Sequence, residues 1–169
     1  MPQPKDHLAR QGLLEKIARM VPGFKGYLER EDRRDSDKLQ RDWLADRLQR
    51  SKRSIDDTIN RLTAAGHLDL LPGCEKLRVR LDTLISRIRG AMRGYSGFFD
   101  LVKVDKAMLD RVYEHDVKVM DEVEAAAETI ERLPPDPALL RESLDKALGQ
   151  LEAVEKEFQF RADILRGLE

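Results

Sequence analysis

The chain has 169 residues, enough for one domain with a buried core. Aromatic residues make up 5% and charged residues 37%, a balance typical of long helices and unlike that of a β-sandwich. The sequence also argues against a membrane span, a secretory signal and an internal disulfide, because it lacks a long apolar run and Cys74 is its only cysteine. We therefore expect a cytoplasmic protein.

The net charge of −1 hides a division of charge along the chain. Residues 1–104 carry 22 basic and 15 acidic side chains, whereas residues 105–169 carry 9 and 17. We expect the basic half and the acidic half to attract each other within one chain. Head-to-tail association between chains is the alternative.

The first two predicted helices are separated by a proline and a glycine. Residues 6–21 place apolar side chains at helical spacing, and Pro22-Gly23 ends that helix. A second helix begins within residues 28–39 and ends near Ala65, where Gly66 is a suitable C-terminal cap.

The third and fourth helices are separated by a connector. The spacing of leucines and isoleucines predicts a third helix from about Cys74 to Arg93. Residues 101–104 have the composition of an extended connector. Asp105 can then cap a fourth helix that runs to Leu133.

A proline-rich turn introduces the last helix. Pro134-Pro135-Asp136-Pro137 breaks the fourth helix, and the fifth covers about Ala138 to Leu168. A turn this short places the two helices in an antiparallel hairpin. The heptad positions of the fifth helix are apolar except for Arg161. They are Leu140, Leu144, Ala147, Leu151, Val154, Phe158, Arg161, Leu165 and Leu168.

The sequence thus predicts an all-α fold in a single domain, residues 1–169. We expect an elongated bundle of about five helices with a long C-terminal antiparallel hairpin.

A Gly-aromatic-x-Gly-aromatic motif occurs twice, at residues 23–27 and 94–98. Glycine permits the backbone angles that a junction between helices needs, so we interpret both motifs as junctions whose rings fill the ends of the bundle. The alternative is that these rings are exposed and dock a partner or a membrane interface. The aromatic residues concerned are Phe24, Tyr27, Tyr95, Phe98 and Phe99.

Residues 29–38 contain one uncharged residue, Ser36, and supply an arginine cluster. At helical spacing, Arg30, Arg33, Arg34 and Arg41 fall on the face that later carries the leucines of the second helix. The preferred interpretation is a solvated helix start that neutralises its own charges. The alternative is that the arginines face a partner's carboxylates, a phosphate or a lipid headgroup, which guanidinium binds with two parallel hydrogen bonds.

Two further helices have faces that suit binding to charged surfaces. Residues 6–21 are basic and amphipathic and could lie on a membrane, although packing on a bundle produces the same pattern. Residues 75–93 carry six basic and two acidic side chains, which is compatible with phosphate contacts. The acidic half of the chain can cover those arginines instead, so we expect nucleic-acid binding to be the weaker hypothesis.

Patterns that indicate catalysis are missing. His7, His67 and His115 lie far apart, and none belongs to the Glu-x-x-His pairs of di-iron bundles. We interpret His115 as part of a polar helix face with its ring nitrogens satisfied. No serine or cysteine nucleophile motif is present, and we expect neither a metal nor a cofactor.

Residues 22–27, followed by residues 29–34 and Asp37-Lys38 and later by residues 95–100, resemble a bacterial all-helical family with the opening pattern PGFxGY…REDRRxxDK. That resemblance implies no activity. In general shape the predicted hairpin resembles phage-shock and ESCRT-III-type helical hairpins, which coat membranes, but this likeness rests on architecture alone.

Together these patterns predict a non-enzymatic helical scaffold or adaptor that acts through protein–protein contacts and self-associates as a homo-oligomer. The expected contact surfaces are the arginine cluster, the aromatic residues of the two motifs, and the fifth helix. The alternative is a peripheral membrane protein that uses residues 6–27 and the arginines on anionic lipid. A third hypothesis is nucleic-acid binding through residues 75–93.

Overall fold

The computed structural model describes residues 4–91 and 106–166, which form five α-helices and one short 3-10 turn. The helices are α1 (Pro4–Met20), α2 (Arg30–Ala65), α3 (Leu71–Gly90), α4 (Lys106–Glu131) and α5 (Pro137–Arg166), with the 3-10 turn at Leu68–Leu70 before α3. Within these two ranges there is no β-strand. The prediction of an all-α fold is confirmed.

Local sequence signals explain most of the helix ends. Gly66 has a φ of 77° and ends α2 as predicted, and the N–H of His67 donates to the carbonyl of Leu62 at 3.0 Å. The start of α3 lies three residues before the predicted one. Pro72 fits the first turn of a helix, where the N–H that proline lacks is not needed.

Asp136 belongs to the turn that ends α4, and it also caps the start of α5. Its Oδ1 accepts hydrogen bonds from the backbone N–H groups of Ala138 and Leu139, both at 3.0 Å. These are donors that the first turn of a helix cannot satisfy internally. The turn that ends α4 therefore also caps α5, which fixes the tight hairpin between them.

Four of the helices form a bundle in the cyclic order α2, α3, α5, α4, and α1 packs on the outside against α4. Neighbours in sequence, α2 with α3 and α4 with α5, are antiparallel hairpins. The predicted C-terminal hairpin is thus present. The two hairpins lie side by side, so that α2 runs parallel to α4 and α3 runs parallel to α5. At about 1.5 Å per residue, α2 is roughly 54 Å long, which makes the bundle elongated.

The apolar stripes predicted for the helices form the core. Fully buried side chains from every helix meet there, among them Ile17, Leu44, Leu48, Ile55, Leu77, Leu81, Ile88, Met120, Val123, Leu140, Leu151 and Val154. Cys74 is also buried, and burial raises the pKa of its thiol. This supports the interpretation of Cys74 as a small packing residue.

Ion pairs join the basic half of the chain to the acidic half. Arg47 of α2 binds Glu124 at 2.8 Å and Glu131 at 2.6 Å, both on α4. Lys16 of α1 binds Asp121 of α4 at 2.8 Å. Further pairs link α1 to α4 and α3 to α5. These ion pairs between the basic and the acidic half help to hold the two halves of one chain together.

Across residues 4–91 and 106–166, no helix is long and apolar enough to cross a bilayer.

Candidate functional site

A layer of buried polar side chains crosses the bundle near the end where α2 and α4 begin. Its centre is Arg161 of α5, whose side chain is 0% exposed. The Arg161 Nε donates to Asp116 of α4, and Nη2 donates to Asp37 of α2 at 2.8 Å and to the Tyr27 hydroxyl at 3.0 Å. We call the set Tyr27, Asp37, Arg41, Tyr113, Asp116 and Arg161 the polar layer.

A second arginine completes the charge balance of the polar layer. Arg41 Nε donates to the other carboxylate oxygen of Asp37 at 2.8 Å, and both side chains are buried. Two guanidinium groups thus face two carboxylates, Asp37 and Asp116. A buried charge is tolerated in this arrangement because each one has an opposite charge and hydrogen bonds to it.

The expectation that Arg41 lies on a solvated or partner-facing surface does not hold. Arg41 stands one turn before Leu44 and two before Leu48, on the stripe of α2 that faces the core. The helical projection placed it correctly, but Asp37 and the rest of the polar layer neutralise it inside the bundle.

The first Gly-aromatic motif is a buried junction beside the polar layer. Tyr27 donates its hydroxyl to Asp116 at 2.6 Å, and its backbone N–H donates to the Tyr113 hydroxyl at 2.8 Å. The rings of Tyr27 and Tyr113 stack with centroids 5.4 Å apart, and Phe24 meets Tyr27 edge-on. Gly26 has a φ of 91°, and a Cβ there would lie 2.6 Å from the Tyr113 hydroxyl. Glycine is required at this position on both counts.

The docking alternative for Phe24 and Tyr27 is therefore wrong, because both rings are buried in the core. Tyr95, Phe98 and Phe99 of the second motif lie outside the described residues, as do the connector at 101–104 and the predicted cap Asp105.

Tyr27 and Arg161 keep their protons inside the polar layer. Burial raises the pKa of Tyr27 well above its ordinary value, so its hydroxyl keeps the proton that it donates to Asp116. Burial alone would lower the pKa of Arg161, but Asp116, Tyr27 and Asp37 raise it, and the guanidinium stays cationic. Burial raises the pKa of Asp116, against the opposing effect of Arg161. The arrangement is suited to holding helices together rather than to exchanging protons.

Two side chains in and beside the polar layer have buried atoms that lack hydrogen-bond partners among the described residues. They are the side-chain amide of Gln40, with both its oxygen and its nitrogen, and Nη1 of Arg161. Burying an unsatisfied polar group costs free energy, so each lowers the stability of the fold.

The remaining arginines of the cluster have different positions. Arg33 closes the loop before α2, since its Nε donates to the carbonyl of Tyr27 at 2.8 Å and its Nη2 to that of Leu28 at 3.3 Å. Arg34 is exposed. The side chain of Arg30 lies outside the described side chains. The structure thus divides Arg41, Arg33 and Arg34 between the core, the loop and the surface, and does not gather these three into one patch.

The faces proposed for membrane and nucleic-acid binding are also occupied within the chain. Ile17 and Val21, on the apolar face of α1, are buried in the core. The described arginines of α3 pair with carboxylates, namely Arg78 with Glu75 and Asp56, Arg80 and Arg87 with Glu155, and Arg89 with Asp46. Arg93 lies outside the described residues.

A groove between α3 and α5 is open at the surface of the described residues. It holds two depressions of about 370 and 670 Å³. The apolar residues that line them are Leu70, Pro72, Gly73, Leu144, Leu148, Gly149, Ala153 and Phe160. Phe160 is 41% exposed, and a Cβ on Gly149 would meet no atom within 4 Å. We call this surface the α3–α5 groove.

His115 belongs to α4 and lies beside Glu157 and Phe160 of α5. Its Nδ1 is 3.3 Å from Glu157, but the two are not aligned for a hydrogen bond, and neither atom has another such partner among the residues described. The ring meets Phe160 edge-on at 4.8 Å. We expected the ring nitrogens of His115 to be hydrogen-bonded. The ring packs against Phe160, but Nδ1 has no hydrogen-bond partner among the described residues. No group of three or more His, Cys, Asp or Glu side chains in the described ranges could hold a metal ion.

Two signals in the sequence point to the polar layer, Arg41 on the core face of α2 and Arg161 in α5, and none points to the groove. Arg161 interrupts an apolar heptad series, which places a charge in the core. Nothing along the sequence identifies Asp37 and Asp116 as its partners, because they lie 124 and 45 positions away. The groove depends on how closely α3 and α5 approach, which is a property of tertiary packing.

Comparisons of the chain with family models, with curated proteins and with solved structures found no match. The resemblance to a bacterial all-helical family stays a prediction.

Proposed function

We propose that the protein is a non-enzymatic helical scaffold of the cytoplasm that acts through protein–protein contacts and associates with copies of itself. The α3–α5 groove is the observation that carries this proposal. It joins an apolar floor to a charged border on a surface that runs along two helices of the bundle.

The composition of the groove supports contact with a protein surface. Protein interfaces combine an apolar centre, often with an aromatic residue, and a polar rim. Leu148, Ala153 and Phe160 supply apolar area along the floor, while Lys76, Arg87 and other charged side chains stand at the edges. Successive stretches of α5 line the two depressions, since Leu144 and Leu148 line one and Gly149 and Ala153 the other.

The polar layer supports the proposal in a different way. It ties α2, α4 and α5 together through buried charges, and Arg41 also lies 3.5 Å from the carbonyl of Ile88 on α3. A surface carried by helices that are fixed in this way is preorganised. Preorganisation lowers the entropy lost when a partner binds.

The proposal is tested by replacing one apolar residue of the groove in the tagged protein at its native expression level. Phe160→Ser should reduce the amount of protein that is captured after cross-linking and identified by mass spectrometry. Leu139→Ser is the matched control, because Leu139 is an apolar residue of the same helix, is 55% exposed and does not line the groove.

Thermal melting of both variants verifies that they fold. If Phe160→Ser folds and captures the same proteins in the same amounts as the wild type, the groove is not the contact surface and the proposal fails.

A further inference from the structure

The two sides of the α3–α5 groove carry opposite charge. The charged residues that α3 contributes to the lining are all basic: Lys76, Arg80 and Arg87. The 3-10 turn before α3 adds one carboxylate, Asp69, which pairs with Arg141 of α5. The charged residues from α5 are mainly acidic, with Asp145, Glu152, Glu155 and Asp163 against Arg141 and Lys156. A surface with one basic and one acidic edge is complementary to a copy of itself, provided that the copy is turned so that unlike edges meet.

Only one way of turning a second copy face to face satisfies that condition. Because α3 and α5 are parallel, a two-fold axis along the helices places α3 of each copy opposite α5 of the other. A two-fold axis across the helices would instead place α3 on α3 and oppose like charges. The first arrangement also keeps residues at the same height along the bundle opposite each other.

We propose that the occupant of the α3–α5 groove is a second copy of this chain, related by a two-fold axis parallel to the helices. This inference rests on the proposed function, which includes self-association, and names the surface and the symmetry. The dimer is isologous, since the same patch is used on both copies. Phe160 of each copy then lies in the groove of its partner.

The charges at one end of the groove define the pairs that cross the interface. Lys76 and Asp145 line the same depression, and neither makes an ion pair with another residue in the described part of the chain. At the other end, Arg80 and Arg87 share the single carboxylate of Glu155, which leaves an excess of positive charge on the α3 side. Glu152, one turn before Glu155, is exposed and suits the excess positive charge of the partner.

Sedimentation equilibrium of the full chain over a wide range of concentration tests the inference. The wild type should reach twice the chain mass of 19.5 kDa. Lys76→Glu and Asp145→Lys should each raise the dimer dissociation constant by about tenfold or more. In the two-fold dimer, residue 76 of each copy faces residue 145 of the other, so each change creates two pairs of like charge. The double variant K76E/D145K restores opposite charges across the axis and should recover the wild-type constant to within a few fold.

A third variant separates folding from association. Gly149→Gln replaces a helical glycine by a better helix former where a Cβ meets nothing, so the monomer should melt no lower than the wild type. The added side chain projects into the groove and should weaken the dimer. Arg53→Glu on α2, a residue that is 89% exposed, is the control for a change of charge alone.

Three results would overturn the inference. In the first, the wild type keeps the mass of a single chain at every concentration. In the second, a dimer forms but K76E, D145K and G149Q leave its dissociation constant unchanged. In the third, the double variant fails to recover association, so the assigned axis is wrong. If the chain stays monomeric while Phe160→Ser still abolishes capture of another protein, this inference fails and the use of the groove for protein contacts stands.

Discussion

Arg161 and Asp37 lie 124 positions apart in the sequence, yet their side chains meet at 2.8 Å in the interior of the bundle. Arg161 belongs to α5 and Asp37 to α2, which occupy diagonally opposite corners. This pair therefore connects the C-terminal hairpin to the N-terminal one through the centre of the fold. Because all four charges of the polar layer are buried, removing Arg161 leaves Asp116 without an opposite charge and leaves Asp37 with Arg41 alone.

Replacing Arg161 by Met should destabilise the protein by about 3–5 kcal/mol, since Asp37 and Asp116 would remain buried without their shared cation. Urea unfolding followed by circular dichroism measures the change. Arg141→Met on the same helix is the control, because its pair with Asp69 is exposed and should contribute little. Equal losses for the two variants would show that the polar layer does not hold the bundle together.

Gln40→Met should stabilise the protein by about 1–3 kcal/mol, because it removes an amide that is buried without a partner and keeps the volume of the side chain. Chemical denaturation compares this variant with Gln49→Met, an exposed position on the same helix where little change is expected. A clear loss of stability in Gln40→Met would mean that the amide makes a hydrogen bond in solution, for example to an internal water molecule.

Gly26→Ala should destabilise the fold by about 1–3 kcal/mol, since the position requires a positive φ and the new Cβ would displace the Tyr113 hydroxyl. Gly149→Ala should act in the opposite direction and stabilise α5 by about 0.5–1 kcal/mol. Thermal melting of both proteins provides the comparison. A Gly26→Ala protein that melts with the wild type would contradict the assignment of a tight junction at the first motif.

Arg47 should make the stability of the protein sensitive to acid. Hydrogen bonds from Arg47 lower the pKa of Glu131 below its ordinary value. A carboxyl group with a lowered folded pKa contributes stability that is complete above its unfolded pKa and is lost as the pH falls through the folded one. The contribution should therefore disappear below about pH 4.5, over the range in which glutamate titrates.

Arg47→Gln should remove that part of the acid sensitivity, so the free energies of unfolding of wild type and variant should converge as the pH is lowered. Denaturation curves at a series of pH values measure the difference between the two proteins. Taking the difference cancels other titrations, including that of Asp116, whose raised pKa acts with the opposite sign. Arg53→Gln is the control. A wild-type-to-variant difference that stays constant with pH would contradict the role given to Glu131.

Periodicity predicted most of the fold, because a helix that packs on others must bury one face. The stripe of α3 is continuous, that of α5 is interrupted only at Arg161, and Pro137 at the start of α5 leaves little choice of conformation. The pattern places the start of α2 only within residues 28–39, since residues 29–38 carry no apolar side chain to indicate a face.

Arg41 shows where reasoning from the sequence reaches its limit. Helical spacing placed it on the core face of α2, but a single sequence does not reveal whether a buried charge has a partner from a distant helix. Arg41 pairs with Asp37, four residues earlier on α2, and both are buried where α5 brings Arg161 to the same carboxylate. Tyr27 is easier to interpret, because an aromatic ring directly after a glycine junction in a small bundle is more often core than binding site, and Tyr27 is buried.

The most direct test of the account is site-specific photo-cross-linking of the full chain in cells. A photoreactive amino acid at Ala153 stands in the α3–α5 groove, and the same group at Arg53 stands on α2, away from the groove. The account predicts an adduct from position 153 that contains α3 of a second copy, with no comparable adduct from position 53. Absence of any protein adduct at position 153, or equal labelling from both positions, would contradict the proposal that the protein works through this groove.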